Sequence, residues 1–268
     1  MYGTGRRPRA QGYNHAMDLD STERFSSRVD NYVKYRPSYP LEAIDLLRGR
    51  CGLGPGSKVA DLGSGTGILT ALLLDAGAQV FAVEPNPKMR GAAEKLLGAR
   101  GGFVSVAGTA EASTLEAHSV GLVLAGQAFH WFEPARARRE AVRILAAQGW
   151  AALIWNEPPE EPTPFLADYD ALLRRHAPQY EQVRSLRAQD QGIGEFFGGV
   201  PQRAVFANRQ VFDLESLQGR LMSSSYAPER GEPQHEPLIE GLRRVFERHQ
   251  DGGKVVFPYR TLVFYGQP

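Results

Sequence analysis

The sequence predicts an α/β fold: a doubly wound, mostly parallel seven-stranded sheet with an antiparallel edge strand and helices on both faces. Apolar segments of strand and helix length alternate between residues 41 and 157, and this alternation requires parallel pairing with right-handed crossovers. The strand segments are continuous runs of Val, Leu and Ala, which is typical of strands covered on both faces. Near the C-terminus, KVVFPYRTLVFYG alternates instead, which favours an antiparallel strand at one edge.

The first part of the chain divides into strands and helices in regular order. The predicted strands are KVADLG, AQVFAVEP, GFVSVAG, SVGLVLAGQ and WAALIWNE. The predicted helices are LEAIDLLRGRCGL, which Gly52 and Gly54 end, ILTALLLDAG, which Gly77 closes, a helix from Asn86 to about Leu97, and EPARARREAVRILAAQG. Asn86 followed by Pro87 indicates an N-cap and a first-turn proline.

The proline-rich segment NEPPEEPTP breaks this rhythm. Beyond it, helical patterns near FLADYDALLRRHAP, LESLQGRLMSS and EPLIEGLRRVFERHQ are interleaved with strand-like AVFANRQVF and KVVFPYRTLVFYG. We interpret residues 21–268 as a single domain. Within it, residues 158–200 and 213–250 are predicted to form inserted helices that cap the domain. Residues 1–20, rich in Gly and Arg, are predicted to form a poorly ordered tail. Whether residues 1–16 are native stays open.

Charge and cysteine content exclude several classes of protein. The 268 residues carry a formal net charge of +1, which argues against nucleic acid as the main partner. The single cysteine, Cys51, excludes a disulfide framework, and neither a signal peptide nor a membrane span is visible. We therefore expect a cytoplasmic protein that does not act at a membrane. None of the six histidines has metal-ligand spacing with another His or Cys, so no metal is expected.

The segment VADLGSGTG, between the first strand and the following helix, contains the strongest functional signal. It lies at the carboxyl edge of a parallel sheet, where ligands bind. Gly63 and Gly65 allow a sharp turn and a ligand in contact with the backbone. Free N–H groups at the helix start favour a carboxylate or phosphate. A tight turn without a ligand is the simpler alternative, which three alternating glycines disfavour.

The details of this loop separate several kinds of ligand site. A phosphate-binding P-loop requires Gly-Lys-Ser/Thr, and the loop has no lysine. A dinucleotide site requires a third glycine where Ile68 stands. The observed pattern is D-x-G-x-G-x-G, in which Asp61 at the strand end can bind the ammonium of an amino-acid ligand. Glu84, twenty-one positions after Gly63, ends the second strand, where an acid can bind both hydroxyls of a ribose.

Further segments follow this loop in an order found in one family. VADLGSGTG, VFAVEP, AGTAE, SVGLVLAGQAFHWF and AVRILAAQGWAALIWNE resemble the successive motifs of S-adenosylmethionine-dependent methyltransferases of the seven-stranded Rossmann-like (class I) type. RFSSRVDNYVKYRPSYP and FPYRTLVFYG are similar to the narrower small-molecule group around trans-aconitate methyltransferase. The resemblance covers about residues 24 to 266, and it implies S-adenosylmethionine as the cofactor.

The resemblance implies roles for residues at the strand ends. Asp61 and the backbone from Gly63 to Gly67 would hold the methionine moiety, and Glu84 would bind the ribose hydroxyls. The implied cofactor set also contains Ser64 and Gly65 in the loop, Pro85 and Met89 beside the adenine, Ala110 and Glu111 at its edge, and Gln127 after the fourth strand. Thr109 stands where many relatives have Asp.

Methyl transfer from a sulfonium is an in-line displacement, which requires alignment of the reactants and exclusion of water. The segment after the fourth strand should therefore face the methyl group. His130 in this segment is a candidate general base for a hydroxyl or amine acceptor. A histidine that only orients the loop is the alternative, since a carboxylate acceptor needs no base. Trp131 and Phe132 are candidate walls of the acceptor site, with core packing as the alternative.

In the resembled group, the N-terminal segment folds over the cofactor as a lid, which corresponds here to residues 21–40. Tyr32 and Arg36 are candidates for contact with the cofactor's amino-acid end or an acceptor carboxylate. Alternatively, Arg36 pairs with a surface acid and the tyrosines seal the core. Trp155, near the end of the fifth strand, is a further candidate acceptor contact, as are residues 223–226 and Arg230.

Together these features predict an enzyme that transfers a methyl group from S-adenosylmethionine to a small-molecule acceptor and releases S-adenosylhomocysteine. A carboxylate or hydroxyl oxygen is the favoured acceptor atom, with nitrogen or carbon as alternatives. The other hypothesis is a fold that binds the cofactor without methylating, or that uses it in another reaction such as a cyclisation. The sequence does not name the acceptor, and we expect a monomer or a homodimer.

Overall fold

One sheet of seven strands organises the described part of the chain. The computed structural model describes residues 29–187 and 192–268, so the predicted tail of residues 1–20 lies outside the described residues. The strands are β1 Lys58–Leu62, β2 Gln79–Val83, β3 Phe103–Val106, β4 Val120–Gly126, β5 Leu145–Glu157, β6 Gln202–Phe212 and β7 Val255–Gly266. Their order in the sheet is β3-β2-β1-β4-β5-β7-β6.

Strand directions confirm the predicted fold class. Strands β1 to β5 pair in parallel, whereas β7 is antiparallel to both of its neighbours, β5 and β6. The antiparallel strand therefore lies second from the end of the sheet, and β6 forms the edge itself. Residues of β6 are alternately exposed and half-buried, as expected for an edge strand with one face towards water.

Ten α-helices are described, together with one 3₁₀ helix, Phe129–Trp131. The α-helices are α1 Val29–Tyr35, α2 Leu41–Cys51, α3 Ile68–Asp75, α4 Pro87–Leu97, α5 Pro134–Ile144, α6 Pro164–His176, α7 Tyr180–Arg187, α8 Ile193–Phe197, α9 Leu214–Met222 and α10 His235–His249. The predicted cap of α4 is present, because the side chain of Asn86 accepts from the N–H groups of Lys88 and Met89 at 2.9 and 3.2 Å.

Successive residues of β1 show how helices cover both faces of the sheet. Val59 and Ala60 are both fully buried, although neighbouring side chains in a strand point to opposite faces. Val59 belongs to an apolar cluster with Ile44 of α2 and Leu73 of α3. Ala60 belongs to a separate cluster with Ile144 of α5. Burial on both faces accounts for the continuous apolar runs in the sequence.

A third apolar cluster joins the β7 end of the sheet to the later helices. Phe257 and Tyr259 of β7 are buried with Leu173 of α6, Leu217 of α9 and Leu242 of α10. Helices α6 to α8 fall within the predicted segment 158–200, and α9 and α10 fall within 213–250. Their interpretation as a cap on a single domain stays a prediction.

Candidate functional site

A cavity of about 300 Å³ lies at the carboxyl edge of the parallel strands, the edge at which open α/β sheets bind ligands. Most of the predicted site residues line it, and they come from the ends of β1, β2 and β4, the loop after β3, the first turn of α4 and the segment before α2. They are Arg36, Asp61, Gly63, Ser64, Gly65, Glu84, Pro85, Met89, Ala110, Glu111, Gln127, His130, Trp131 and Phe132. The topology thus brings together residues that are far apart in sequence.

Two glycines with positive φ angles shape the loop between β1 and α3. The φ angle is 68° at Gly63 and 58° at Gly65, a conformation that is costly for residues with a Cβ. A Cβ at Gly63 would also lie 2.7 Å from the Cβ of Ala128. The N–H groups of Gly63 and Ser64 donate to the carbonyl oxygen of Val83 at 2.9 and 3.1 Å. The loop is therefore held against the end of β2.

Asp61 is a buried carboxyl group, 1% exposed, on the cavity wall. Its Oδ2 accepts from Oγ1 of Thr70 at 2.6 Å, whereas its Oδ1 has no hydrogen-bond partner among the described residues. Burial, together with the nearby carboxylate of Glu84, raises the pKa of Asp61 to about 7. A buried polar atom without a partner is unfavourable. This oxygen is therefore suited to an ammonium group of a ligand.

Glu84 stands at the end of β2, beside the glycine loop. Its Oε2 accepts from the N–H of Gly65, and its Oε1 accepts from the N–H of Asn86, both at 2.8 Å. Burial raises the pKa of Glu84, and these two hydrogen bonds oppose the rise. Each carboxylate oxygen can accept more than one hydrogen bond. The carboxylate is thus fixed in place and still able to accept from two adjacent hydroxyls.

An apolar wall continues the cavity beyond Glu84. Met89 and Ala110 line the cavity and are 4% and 3% exposed. In the loop after β3, Thr109 Oγ1 accepts from the N–H of Ala112 at 3.1 Å, and the carboxylate of Glu111 accepts from the N–H of Glu133 at 2.9 Å. An apolar wall next to a carboxylate that can bind ribose suits a nucleoside base.

The segment after β4 lies against the glycine loop. Gln127 has a φ of 56°, and its Nε2 donates to the carbonyl oxygen of Asn156 at 2.9 Å. The rings of His130 and Trp131 are 4.9 Å apart. The Phe132 ring comes within 3.5 Å of the position that a Cβ on Gly63 would take. The aromatic segment and the bare glycine backbone therefore form adjoining parts of one wall.

Three predicted residues differ from this set. Gly67 lies at the N-cap of α3 with a φ of 87°, where a Cβ would meet Cδ1 of Leu97 at 2.5 Å. Packing therefore favours glycine here, and the contact of Gly67 with the cofactor stays a prediction. Trp155 is buried against the rings of Phe129 and Phe264 at 6.1 and 5.8 Å and is not among the residues that line the cavity, so its contact with the acceptor stays a prediction. The side chain of Tyr32 lies outside the described residues.

Sequence reasoning missed several side chains on the cavity wall, among them Tyr39, Asn156, Arg220 and Tyr259. Asn156 is at the end of β5, and the rule that ligands bind at the carboxyl edge could have found it. Arg220 lies in a helix and Tyr259 in a strand. The neighbouring sequence of each residue does not indicate that its side chain lines a cavity. Of the serine run, Ser224 accepts from Arg220 at 3.2 Å, whereas Arg230 is exposed.

Metal sites and membrane-spanning helices are absent from the described part of the chain. In residues 29–187 and 192–268, no group of three or more His, Cys, Asp or Glu side chains could hold a metal ion. Over the same ranges, every helix is too short or too polar to cross a membrane.

A sheet in this strand order, with an acid-and-glycine loop after β1 and a second acid at the tip of β2, defines the class I methyltransferase fold. Residues 60–153 match the family described as a methyltransferase domain. Over these residues the chain resembles a methyltransferase domain, which confirms the predicted resemblance at the level of the family. The narrower resemblance to the trans-aconitate group stays a prediction.

Known proteins agree with this assignment. An uncharacterized methyltransferase of Mycobacterium tuberculosis is 43% identical over 137 residues, which are 51% of this chain and 54% of the relative. The chain thus spans about half the length of this relative. An uncharacterized methyltransferase-like protein of Schizosaccharomyces pombe is 26% identical over 90% of this chain and 93% of its own. A solved structure of a candidate type II methyltransferase from Anaeromyxobacter dehalogenans has the same fold, with a TM-score of 0.59, 19% identity, and coverage of 87% and 98%.

Proposed function

We propose that the protein transfers a methyl group from S-adenosylmethionine to a small organic acceptor, with release of S-adenosylhomocysteine. S-adenosylmethionine, when bound, supplies an electrophilic methyl group on a sulfonium sulfur. One observation carries the proposal: two buried acids, Asp61 and Glu84, stand at the ends of paired strands on one cavity wall, with a glycine loop beside them.

Each end of this wall suits a different part of the cofactor. The Oδ1 of Asp61, which has no donor in the described structure, would accept from the ammonium of the methionine moiety. The Glu84 carboxylate, held by the N–H groups of Gly65 and Asn86, would accept from both ribose hydroxyls. Met89 and Ala110 would contact the adenine through apolar surface. The donor set thus fits the cofactor along its length.

The contribution of the protein to the reaction is alignment and exclusion of water. The segment Gln127 to Phe132 lies against the glycine loop, so the acceptor would enter between these aromatic residues and the cap helices. For a hydroxyl acceptor, His130 on this wall would take up the proton. For a carboxylate acceptor, which is ionised at neutral pH, no base is needed. We favour an oxygen acceptor of one of these two kinds.

The test begins with binding. Calorimetry with S-adenosylhomocysteine should show that Asp61→Ala and Glu84→Ala each weaken affinity by about 1–3 kcal/mol, because each removes a hydrogen bond with a charged partner. Glu116→Ala, which removes an exposed acid, is the matched control and should bind like the wild type. Unchanged affinity in both Asp61→Ala and Glu84→Ala would show that the cofactor site is wrongly placed.

The second step measures the reaction with S-adenosylmethionine and a panel of carboxylates, alcohols, phenols and amines. Formation of S-adenosylhomocysteine that depends on an acceptor supports methyl transfer. Tight cofactor binding without turnover on any acceptor supports the other hypothesis, a fold that binds the cofactor for another purpose. His130→Ala should lower turnover on hydroxyl acceptors by roughly 100-fold or more, with cofactor affinity retained and carboxylate acceptors nearly unaffected.

A further inference from the structure

The cavity has a second wall that the proposed cofactor contacts do not use. Arg220 of α9 and Tyr259 of β7 line this wall, and they are only 7% and 5% exposed. Both stand outside the glycine loop, the β2 acid and the segment after β4. A buried guanidinium on a cavity wall requires an explanation, because Arg is rarely buried unless it is paired.

The partners of Arg220 within the described structure are neutral. Its Nε donates to the hydroxyl of Tyr259 at 3.3 Å, and its Nη1 donates to Oγ of Ser224 at 3.2 Å. The guanidinium lies 5.5 Å from the centre of the Phe257 ring. Among residues 29–187 and 192–268, no carboxylate forms an ion pair with Arg220. A guanidinium has five N–H donors, so donors remain for a ligand.

The hydrogen bonds around Arg220 hold it in a fixed orientation. The hydroxyl of Tyr259, which accepts from Arg220, donates to Oε1 of Gln210 at 2.9 Å. Nε2 of Gln210 donates in turn to the backbone oxygen of Tyr35 at 3.2 Å. The aromatic face of Phe257 offsets part of the cost of burying the charge. A buried charge without an opposite charge is still unfavourable, and an anion in the cavity would supply the missing charge.

Position in the sheet separates this anion site from the cofactor's own carboxylate. Asp61 stands on β1 and Tyr259 on β7, with β4 and β5 between them. Three strand spacings amount to roughly 14 Å. The carboxylate of the methionine moiety shares one carbon with its ammonium, so it would lie close to Asp61. An anion bound by Arg220 is therefore expected to be a second group, distinct from the methionine carboxylate.

We propose that Arg220 binds an ionised carboxylate of the methyl acceptor, with Tyr259 orienting the guanidinium. This inference rests on the proposed function, and it narrows the acceptor to small molecules that carry at least one carboxylate. A planar guanidinium can bind the two carboxylate oxygens through parallel N–H groups. Arg220 would thus determine acceptor specificity.

The experiment is calorimetry on the full chain saturated with S-adenosylhomocysteine. Malonate, succinate, glutarate and benzoate serve as probes, each compared with its amide. The wild type should bind at least one carboxylate roughly 10- to 100-fold more tightly than the matching amide. Arg220→Gln should abolish this preference and leave S-adenosylhomocysteine affinity within about threefold of the wild type. Arg209→Gln, which removes an exposed arginine from β6, should leave both unchanged.

Other outcomes overturn the proposal. A wild type without preference for carboxylates, or an Arg220→Gln variant that keeps the preference, would show that Arg220 is structural. A tenfold or greater loss of S-adenosylhomocysteine affinity in Arg220→Gln would assign the guanidinium to the cofactor's carboxylate. If this variant fails to fold, Arg220→Lys keeps the charge without the planar donor pair and should reduce the preference several-fold. A wild type that binds no S-adenosylhomocysteine would overturn the proposed function, and titration of the carboxylates into the protein alone would then decide the role of Arg220.

Discussion

The two sides of the cavity are built from contacts of very different sequence separation. On the loop side, which comprises residues 61–67 and Glu84, the hydrogen bond from Thr70 to Asp61 spans nine positions, and the bond from Gly65 to Glu84 spans nineteen. Contacts of this kind fit within one strand–loop–helix–strand unit. The residues that make them therefore occur at a regular spacing within a short stretch of sequence, and this spacing can be recognised without the structure.

On the cap side, which comprises residues 29–36, α9, β6 and β7, several contacts span more than one hundred positions. Arg36 donates to the backbone oxygen of Ser223 across 187 positions, and Thr261 donates to Oδ1 of Asn156 across 105. Such contacts exist only once the sheet has formed. A residue of this side can therefore line the site without belonging to any local motif, and Arg220 is an example.

The largest expected effect concerns the backbone of the loop side. Gly63→Ala should lower the free energy of unfolding by roughly 2–5 kcal/mol, because it combines a positive φ with a Cβ placed 2.7 Å from Ala128. Gly65→Ala, with a positive φ but open space around the Cβ position, should lower it by roughly 1–2 kcal/mol. Denaturant titration measures both changes.

The matched control for this pair is Gly54→Ala, where a Cβ would meet nothing within 4 Å and φ is not positive. Its stability should stay within about 0.5 kcal/mol of the wild type. Equal stability of Gly63→Ala and Gly65→Ala would contradict the close packing of this loop against the segment after β4.

The same distinction explains how far the sequence could predict this molecule. Alternation of apolar runs predicted the sheet and its helices, since burial on both faces leaves a pattern in every strand. The spacing of Asp61, the glycines and Glu84 predicted the loop side, because the contacts of that side join residues fewer than twenty positions apart. The side chain of Trp155 belongs to a buried apolar cluster, and local sequence does not determine whether a side chain near a strand end points to the core or to the cavity. The role of Gly67 likewise depends on Leu97, thirty positions away.

The next effect concerns the docking of α1 on the cap side. In the structure, the ring of Tyr35 occupies the position that a Cβ on Gly219 would take. Gly219→Ala should therefore displace α1 and lower the free energy of unfolding by roughly 1–3 kcal/mol. Hydrogen exchange should show lost protection in residues 29–35, with β1 and β2 unchanged.

Gly49→Ala is the control for this substitution, because Gly49 is an exposed glycine within α2 and has open space around its Cβ position. It should be neutral or slightly stabilising, since Ala has the higher helix propensity. If Gly219→Ala retains full protection of α1, the lid segment is not held by this contact.

A smaller effect is expected from the pH dependence of the loop side. The pKa of Asp61 is raised to about 7 in the free protein, above its unfolded value, so the protonated form is favoured and the associated stability is lost as pH rises from about 4 to 7. An ammonium ligand requires the ionised form. Affinity for S-adenosylhomocysteine should therefore fall up to about tenfold per pH unit below 7.

Calorimetry between pH 5.5 and 7.5 measures this slope. Asp61→Asn, which cannot ionise, should bind more weakly at pH 7.5 and show little dependence on pH across the window. A wild-type affinity that is constant across this range would mean that Asp61 does not face the ammonium.

The smallest effect concerns Thr109, which stands where many members of the resembled family have Asp. Its Oγ1 accepts from the N–H of Ala112 at 3.1 Å, and an Asp side chain can accept the same bond in a turn. Thr109 also lies on the cavity wall, so a carboxylate at this position could accept from the adenine amine in addition. Thr109→Asp should therefore tighten S-adenosylhomocysteine binding by about 0.5–1 kcal/mol, or roughly two- to fivefold. Thr109→Ala, which loses the turn contact, should weaken binding slightly. If the Asp variant binds more weakly than the wild type, repulsion from Glu84 and Asp61 on the same wall exceeds the new hydrogen bond, and the loop side is already saturated with negative charge.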